Sequence, residues 1–73
     1  MAKVELRSEV TGAVFTIEVA VGTVVGDGDT VLVLESMKME IPVNATARGT
    51  VVAILVAEGE SVEEGQVVAV LES

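Results

Sequence analysis

The chain contains itself twice. Displaced by 37 positions, TGAVFTIEVAVGTVVGDGDTVLVLES (Thr11 to Ser36) lies on RGTVVAILVAEGESVEEGQVVAVLES (Arg48 to Ser73) without a gap, and half of the aligned positions are identical. The identities include Gly12 with Gly49, Ile17 with Ile54, Gly22 with Gly59, Val25 with Val62, Gly28 with Gly65, and Leu34-Glu35-Ser36 with Leu71-Glu72-Ser73. Two copies are too few for a stacked solenoid. They imply a single domain over residues 1–73, built of two similar halves about an approximate two-fold axis.

Each half reads as strand, turn, short strand, turn, strand. Phe15, Ile17 and Val19 alternate with Thr16 and Glu18, the period of a half-buried strand. Gly22 ends that run, and GDG at 26–28 supplies a turn able to take positive φ. TVLVLES follows as a strand, and the second half repeats the scheme with Gly59, EEG and VVAVLES. With KVELRSE before and MEIPVNA between, the total is about eight short strands spaced as in a sandwich or barrel. No stretch has a helical period, so the class is all-β. Pro42 cannot donate to a ladder and predicts an edge strand. MKMEIPVNATA (Met37 to Ala47) falls outside the repeat and joins the halves, which places it on or near the two-fold axis at one end of the molecule.

Composition narrows the function classes. No Cys or His is present, so neither disulfide nor zinc can staple the fold, and seventeen valines must supply dense β-branched packing. A net charge of −8 with only Lys3, Arg7, Lys38 and Arg48 as cations argues against nucleic acid as a partner. The longest apolar run, VVAILVA, is far too short to span a bilayer. MAKVELRSEV is no secretory signal, so a soluble cytoplasmic protein away from membranes is expected.

Several stretches imitate chemical motifs. GDGD (26–29) resembles part of a calcium loop, but its repeat partner EEGQ keeps the glycine and discards the aspartates. The turn, and no metal, explains both. NAT (44–46) matches a glycosylation acceptor that means nothing without a leader. Glu63-Glu64 beside Gly65 reads as solvated charge and not as an acid–base pair. No nucleophile–base pairing exists, so no catalytic residue is expected and the chain reads as a non-enzyme.

One stretch resists this treatment. ESMKMEI (35–41) sets one of only two lysines between two of three methionines, where a core-bound strand would carry Val or Ile and a surface turn Gly, Asn or Asp. LESMKMEIPVNATARGTV resembles the attachment site of biotinyl domains in biotin-dependent carboxylases and decarboxylases. The wider biotinyl/lipoyl pattern covers Val14 to Leu71, with Gly22, Val25 and Gly28 leading to Glu35-Ser36-Met37-Lys38-Met39 and then Ala45, Gly49, Gly59, Val62 and Gly65 in the family's order. The length is similar to that of free-standing biotin carboxyl carrier-type attachment proteins. Two departures stand out. Ser36 replaces a commoner alanine, and SEVTGAV lacks the proline often found before the first glycine.

The resemblance implies a flattened barrel, or barrel-sandwich hybrid, of two four-stranded antiparallel sheets. It implies biotin attached to Lys38 on a hairpin tip opposite the termini, with Glu35, Met37 and Met39 recognised by a biotin protein ligase. Lipoyl domains usually carry Asp-Lys-Ala there, so the flanking methionines favour biotin over lipoate. The implied role is that of a carrier, shuttling CO2 as carboxybiotin from a biotin carboxylase to a carboxyltransferase that acts on an acyl-CoA or similar acceptor.

The residues suit this role. An amide needs a primary amine on a long stem, and at neutral pH a lysine amine is held as the ammonium. A ligase must therefore deprotonate it and bring activated biotin. Methionines are slim and apolar, able to grip a partner's groove without rigid shape. The lysyl and biotin stems together make a tether of roughly 14 Å from ordinary bond lengths, and tethering raises the cofactor's effective concentration at both enzymes. A monomer that meets those enzymes by association is expected. The alternatives are a lipoyl or dual biotin/lipoyl carrier, and an unmodified protein–protein adaptor barrel with an exposed apolar patch away from Lys38.

Overall fold

The computed structural model describes residues 2–73. Eight strands follow in order: β1 (Lys3–Arg7), β2 (Gly12–Ile17), β3 (Val24–Val25), β4 (Thr30–Ser36), β5 (Met39–Asn44), β6 (Gly49–Ile54), β7 (Ser61–Val62) and β8 (Val67–Glu72). They form two four-stranded antiparallel sheets, ordered β1-β8-β6-β3 and β5-β4-β2-β7. The expected all-β sandwich is what the chain forms. β5 is an edge strand, as Pro42 requires.

The inward faces meet in one core of aliphatic side chains. Val31, Leu32, Leu34, Val51 and Val68 are fully enclosed, with Leu71 and Val62 almost so. Burying such a side chain contributes about 1.5–3 kcal/mol. Without aromatic bulk, the branched aliphatics fill the space between the sheets.

The internal symmetry extends to the glycine turns. Gly28 N–H donates to the Ala45 carbonyl and Gly65 N–H to that of Ser8, both at 2.8 Å. Gly22 N–H donates to the Val51 carbonyl (2.7 Å), and Gly59 N–H to that of Val14 (2.8 Å). All four glycines hold φ between +87° and +98°, which forces the residue type there. In the GDGD turn Asp29 Oδ2 accepts from Gly26 N–H, and its counterpart Gln66 Oε1 accepts from Glu63 N–H. The aspartate there closes a turn.

Two expectations need correction. Phe15 is not inward. The β2–β4 register slips between Val14 and Thr16, so Val14 enters the core and Phe15 is left 47% exposed. The same slip recurs between Val51 and Ala53, which puts Val52 at the equivalent place. A bulge reverses the side-chain alternation after it. The second correction concerns the junction. β5 pairs with β4 as β1 pairs with β8: Glu40, Ile41 and Val43 oppose Glu35, Leu34 and Leu32, while Lys3, Val4 and Leu6 oppose Glu72, Leu71 and Ala69. β5 is thus the repeat partner of β1, and only Met37-Lys38 lies outside the repeat. The two-fold exchanges that turn with the gap between Ser73 and Ala2, so the turn sits away from the axis.

Those two places are at opposite ends of a body 36 × 18 × 18 Å. Ser73 N–H donates to the Ala2 carbonyl (3.0 Å) at one end. Ser36, beside the turn, bonds to Thr11, just past the far end of β1.

Candidate functional site

β4 and β5 form a hairpin closed by two residues, since Ser36 pairs with Met39 and leaves Met37 and Lys38 as the loop. Both take positive φ, 51° at Met37 and 66° at Lys38, the pattern of a type I′ turn. Hairpin twist favours this turn, but its usual residues are Asn and Gly. A side chain in the left-handed region costs about 1–2 kcal/mol. These are the only non-glycine residues at positive φ among those described. The surrounding ladder must hold them there.

That support comes from β2. Ser36 Oγ donates to the Thr11 carbonyl at 2.9 Å, tying the base of the hairpin to the β1–β2 connection. Gly12 lies so close to β4 that a Cβ on it would stand 2.3 Å from the Glu35 carbonyl oxygen and 3.1 Å from Ser36 Cβ. Serine in place of alanine therefore gains a hydrogen bond. The β1–β2 turn that lacks a proline is held by Ser8. Its side chain is buried, and its Oγ donates to the Val10 carbonyl and accepts from Val10 N–H. Nothing in the residue pattern marks Thr11 or Ser8 as supports. The alignment of Gly12 with Gly49 is the one signal for the close approach.

The tip itself is open. Met37 is 92% and Met39 63% exposed, and Lys38, Glu35 and Glu40 are exposed too. Glu35, Met37, Lys38 and Met39, the four residues singled out in the sequence, are thus gathered within one hairpin end. The lone ion pair among the described residues is Arg7–Glu5, so no carboxylate lies within salt-bridge distance of the Lys38 amine. Glu35 and Glu40 face each other directly across the strands and lend the tip's base negative charge. A protruding, unpaired primary amine on a fixed turn is chemically suited to forming an amide with a carboxylic acid cofactor. The donor set fits such a group. Among the described residues no three acidic side chains gather as a metal site would need, and no helix is long and apolar enough to cross a membrane.

Comparison with known proteins agrees with this geometry. The profile of the biotin/lipoyl family, described as "Biotin-requiring enzyme", matches residues 2–71. The biotinylated protein TB7.3 homolog of Mycolicibacterium smegmatis is 49% identical over 41 residues, 56% of this chain and 58% of that relative's length. Among solved structures, urea carboxylase of Kluyveromyces lactis contains a region that matches 99% of this chain at a TM-score of 0.94 and 42% identity, though the match covers only 6% of that enzyme. A single-chain, multi-domain long-chain acyl-CoA carboxylase matches 93% of this chain at 0.87 and 29% identity, over 7% of its own length. The chain belongs to the biotin/lipoyl family of biotin-requiring enzyme domains.

Proposed function

We propose that this protein is a carboxyl carrier, with biotin amide-linked to the Nζ of Lys38 by a biotin protein ligase. The observation that carries the reading is an unpaired lysine amine at the apex of a strained two-residue hairpin, in a chain of this family. Once bound, biotin would supply a ureido nitrogen able to accept and release CO2. The chain's own part is mechanical and electrostatic. The left-handed turn directs Lys38 away from the body, and Met37 and Met39 offer apolar grip on either side. Glu35 marks the base of the hairpin for the ligase. The partners this implies are a biotin carboxylase and a carboxyltransferase, with the protein a substrate of the ligase and no enzyme in itself.

The test is intact mass after co-expression with a biotin protein ligase. One biotinyl increment that disappears in Lys38→Arg is the expected result. A lipoyl increment formed with a lipoate ligase would transfer the protein to the neighbouring branch. No increment from either ligase would remove the carrier reading.

A second reading has one observation in its favour. Val24 and Val52, with Leu55 just past β6, present exposed apolar side chains on the sheet that does not bear the Lys38 hairpin, as an unmodified adaptor would need. An adaptor would keep all of its binding after Lys38→Arg.

A further inference from the structure

Phe15 is the chain's one aromatic residue, and the fold spends it on the outside. The bulge in β2 turns it onto the outer face of the sheet that bears the Lys38 hairpin. A shallow groove of about 500 Å³ runs there, lined by Phe15, Thr16, Val33, Pro42, Glu18 and Glu40. Thr16, Val33 and Pro42 form its floor as successive cross-strand partners. Glu18 is fixed at the rim, where its carboxylate accepts a hydrogen bond from Thr16 Oγ1 at 2.6 Å. Glu40 opposes Glu35 across the strands, two residue pairs nearer the tip than Val33 and Pro42. None of these three carboxylates meets a cation within the described chain.

The two-fold supplies an internal control. Its counterpart face on the other sheet carries Val52 for Phe15, Ala53 for Thr16, Leu55 for Glu18, Val67 for Thr30 and Val70 for Val33, with Lys3 for Glu40 and Glu5, paired to Arg7, for Pro42. The scaffold therefore accepts aliphatic residues at the positions of Phe15, Thr16, Glu18, Thr30 and Val33. The hairpin face alone combines an aromatic ring with uncompensated carboxylates. A ring face and nearby carboxylates together attract a guanidinium, by cation–π contact and by charge.

We infer that this groove is the docking face for an arginine-bearing protein surface on the enzymes that handle the Lys38 arm, with the arginine lying over Phe15 between Glu18 and Glu40 and apolar neighbours on Val33 and Pro42. This rests on the carrier reading and adds which side of the hairpin a partner covers. Binding by this face leaves the tip free to project past the contact, since the groove reaches Glu40 and stops short of the Met37-Lys38 loop. Electrostatic steering by the acidic rim speeds encounter with a basic partner and weakens as salt rises.

The test uses the whole chain and a defined probe, the peptide N-acetyl-Leu-Arg-Leu-amide, titrated while amide ¹⁵N–¹H spectra are recorded. N-acetyl-Leu-Glu-Leu-amide serves as control. The expected result is saturable shifts at Phe15, Thr16, Val33 and Glu40 with the arginine peptide alone. Phe15→Leu keeps apolar volume without the ring, and Glu18→Gln/Glu40→Gln keeps shape without charge. Each should weaken binding by about fivefold, the size of one exposed cation–π contact or of two exposed charge contacts. Shifts centred on Val52, Val67 and Val70, equal response to the glutamate peptide, or no saturable shift would overturn the inference. Biotin uptake at Lys38 is read separately by mass. A chain that takes up biotin but ignores the peptide fails only this inference, and one that binds the peptide but takes no biotin fails only the carrier reading.

Discussion

Gly12 and the carbonyl of Glu35 are in such close approach that no side-chain carbon fits between them: a Cβ on Gly12 would lie 2.3 Å from that oxygen. The obstruction is backbone on both sides, so it cannot be relieved by a rotamer change. It sits three residues from Lys38, at the foot of the hairpin.

Gly12→Ala should therefore push β2 and β4 apart and lower stability by about 1–3 kcal/mol, the range for overpacking a tight contact. Its repeat partner Gly49 leaves more room, with the Glu72 carbonyl oxygen 2.9 Å from the hypothetical Cβ, so Gly49→Ala should cost less. Urea denaturation of the two variants checks the ranking. Equal losses would mean that the spacing at the hairpin's foot is not what demands glycine.

The Met37-Lys38 turn opposes the preferences of its own residues. Met37→Asn should relieve part of that strain and raise stability by about 1 kcal/mol. If Met37 is gripped by the ligase, the same variant should take up biotin more slowly. Thermal melting and a timed mass measurement read the two effects, and faster uptake would contradict the proposed role of Met37.

Glu35 and Glu40 stand opposite each other as like charges on neighbouring strands. Glu40→Lys turns repulsion into attraction and should stabilise the hairpin by a few tenths of a kcal/mol, the exposed setting keeping the gain small. Because the effect is Coulombic, it should shrink at high salt. A gain that is unchanged by salt would point to packing instead.

Ser8 closes the β1–β2 turn with its buried hydroxyl. Ser8→Ala leaves the Val10 amide and carbonyl without that partner and should cost about 1–2 kcal/mol. Hydrogen exchange at Val10 should quicken in the variant. Unchanged exchange there would show that another group holds the turn.

How far the sequence reveals this structure varies with the residue. The 37-residue displacement predicts the strand count and the turns, since Gly22, Gly28, Gly59 and Gly65 recur where positive φ leaves little alternative. The equivalence of β1 with β5 is hidden, because KVELR and EIPVN share only alternating burial and no identity. Hence Met37 to Ala47 looks like a linker on the axis. Bulges are equally silent. Phe15 follows an inward alternation until one extra residue reverses it, and no local residue preference at Val14 or Thr16 announces the slip. The hairpin turn at Met37-Lys38 is predicted by resemblance and contradicted by propensity, as expected where a site is held by the rest of the fold.

The hydrogen bond from Ser73 to Ala2 closes the symmetry at the end opposite Lys38. A larger polypeptide could enter at one of these residues and leave at the other while displacing its own chain hardly at all. Spliced into a host loop like a bead on a doubled thread, the unit would hold its lysine facing away from the host. The same geometry makes the molecule a candidate for circular permutation. Joining Ser73 to Ala2 through a short turn and opening the chain elsewhere would leave the Lys38 hairpin intact and reverse the order of the two halves.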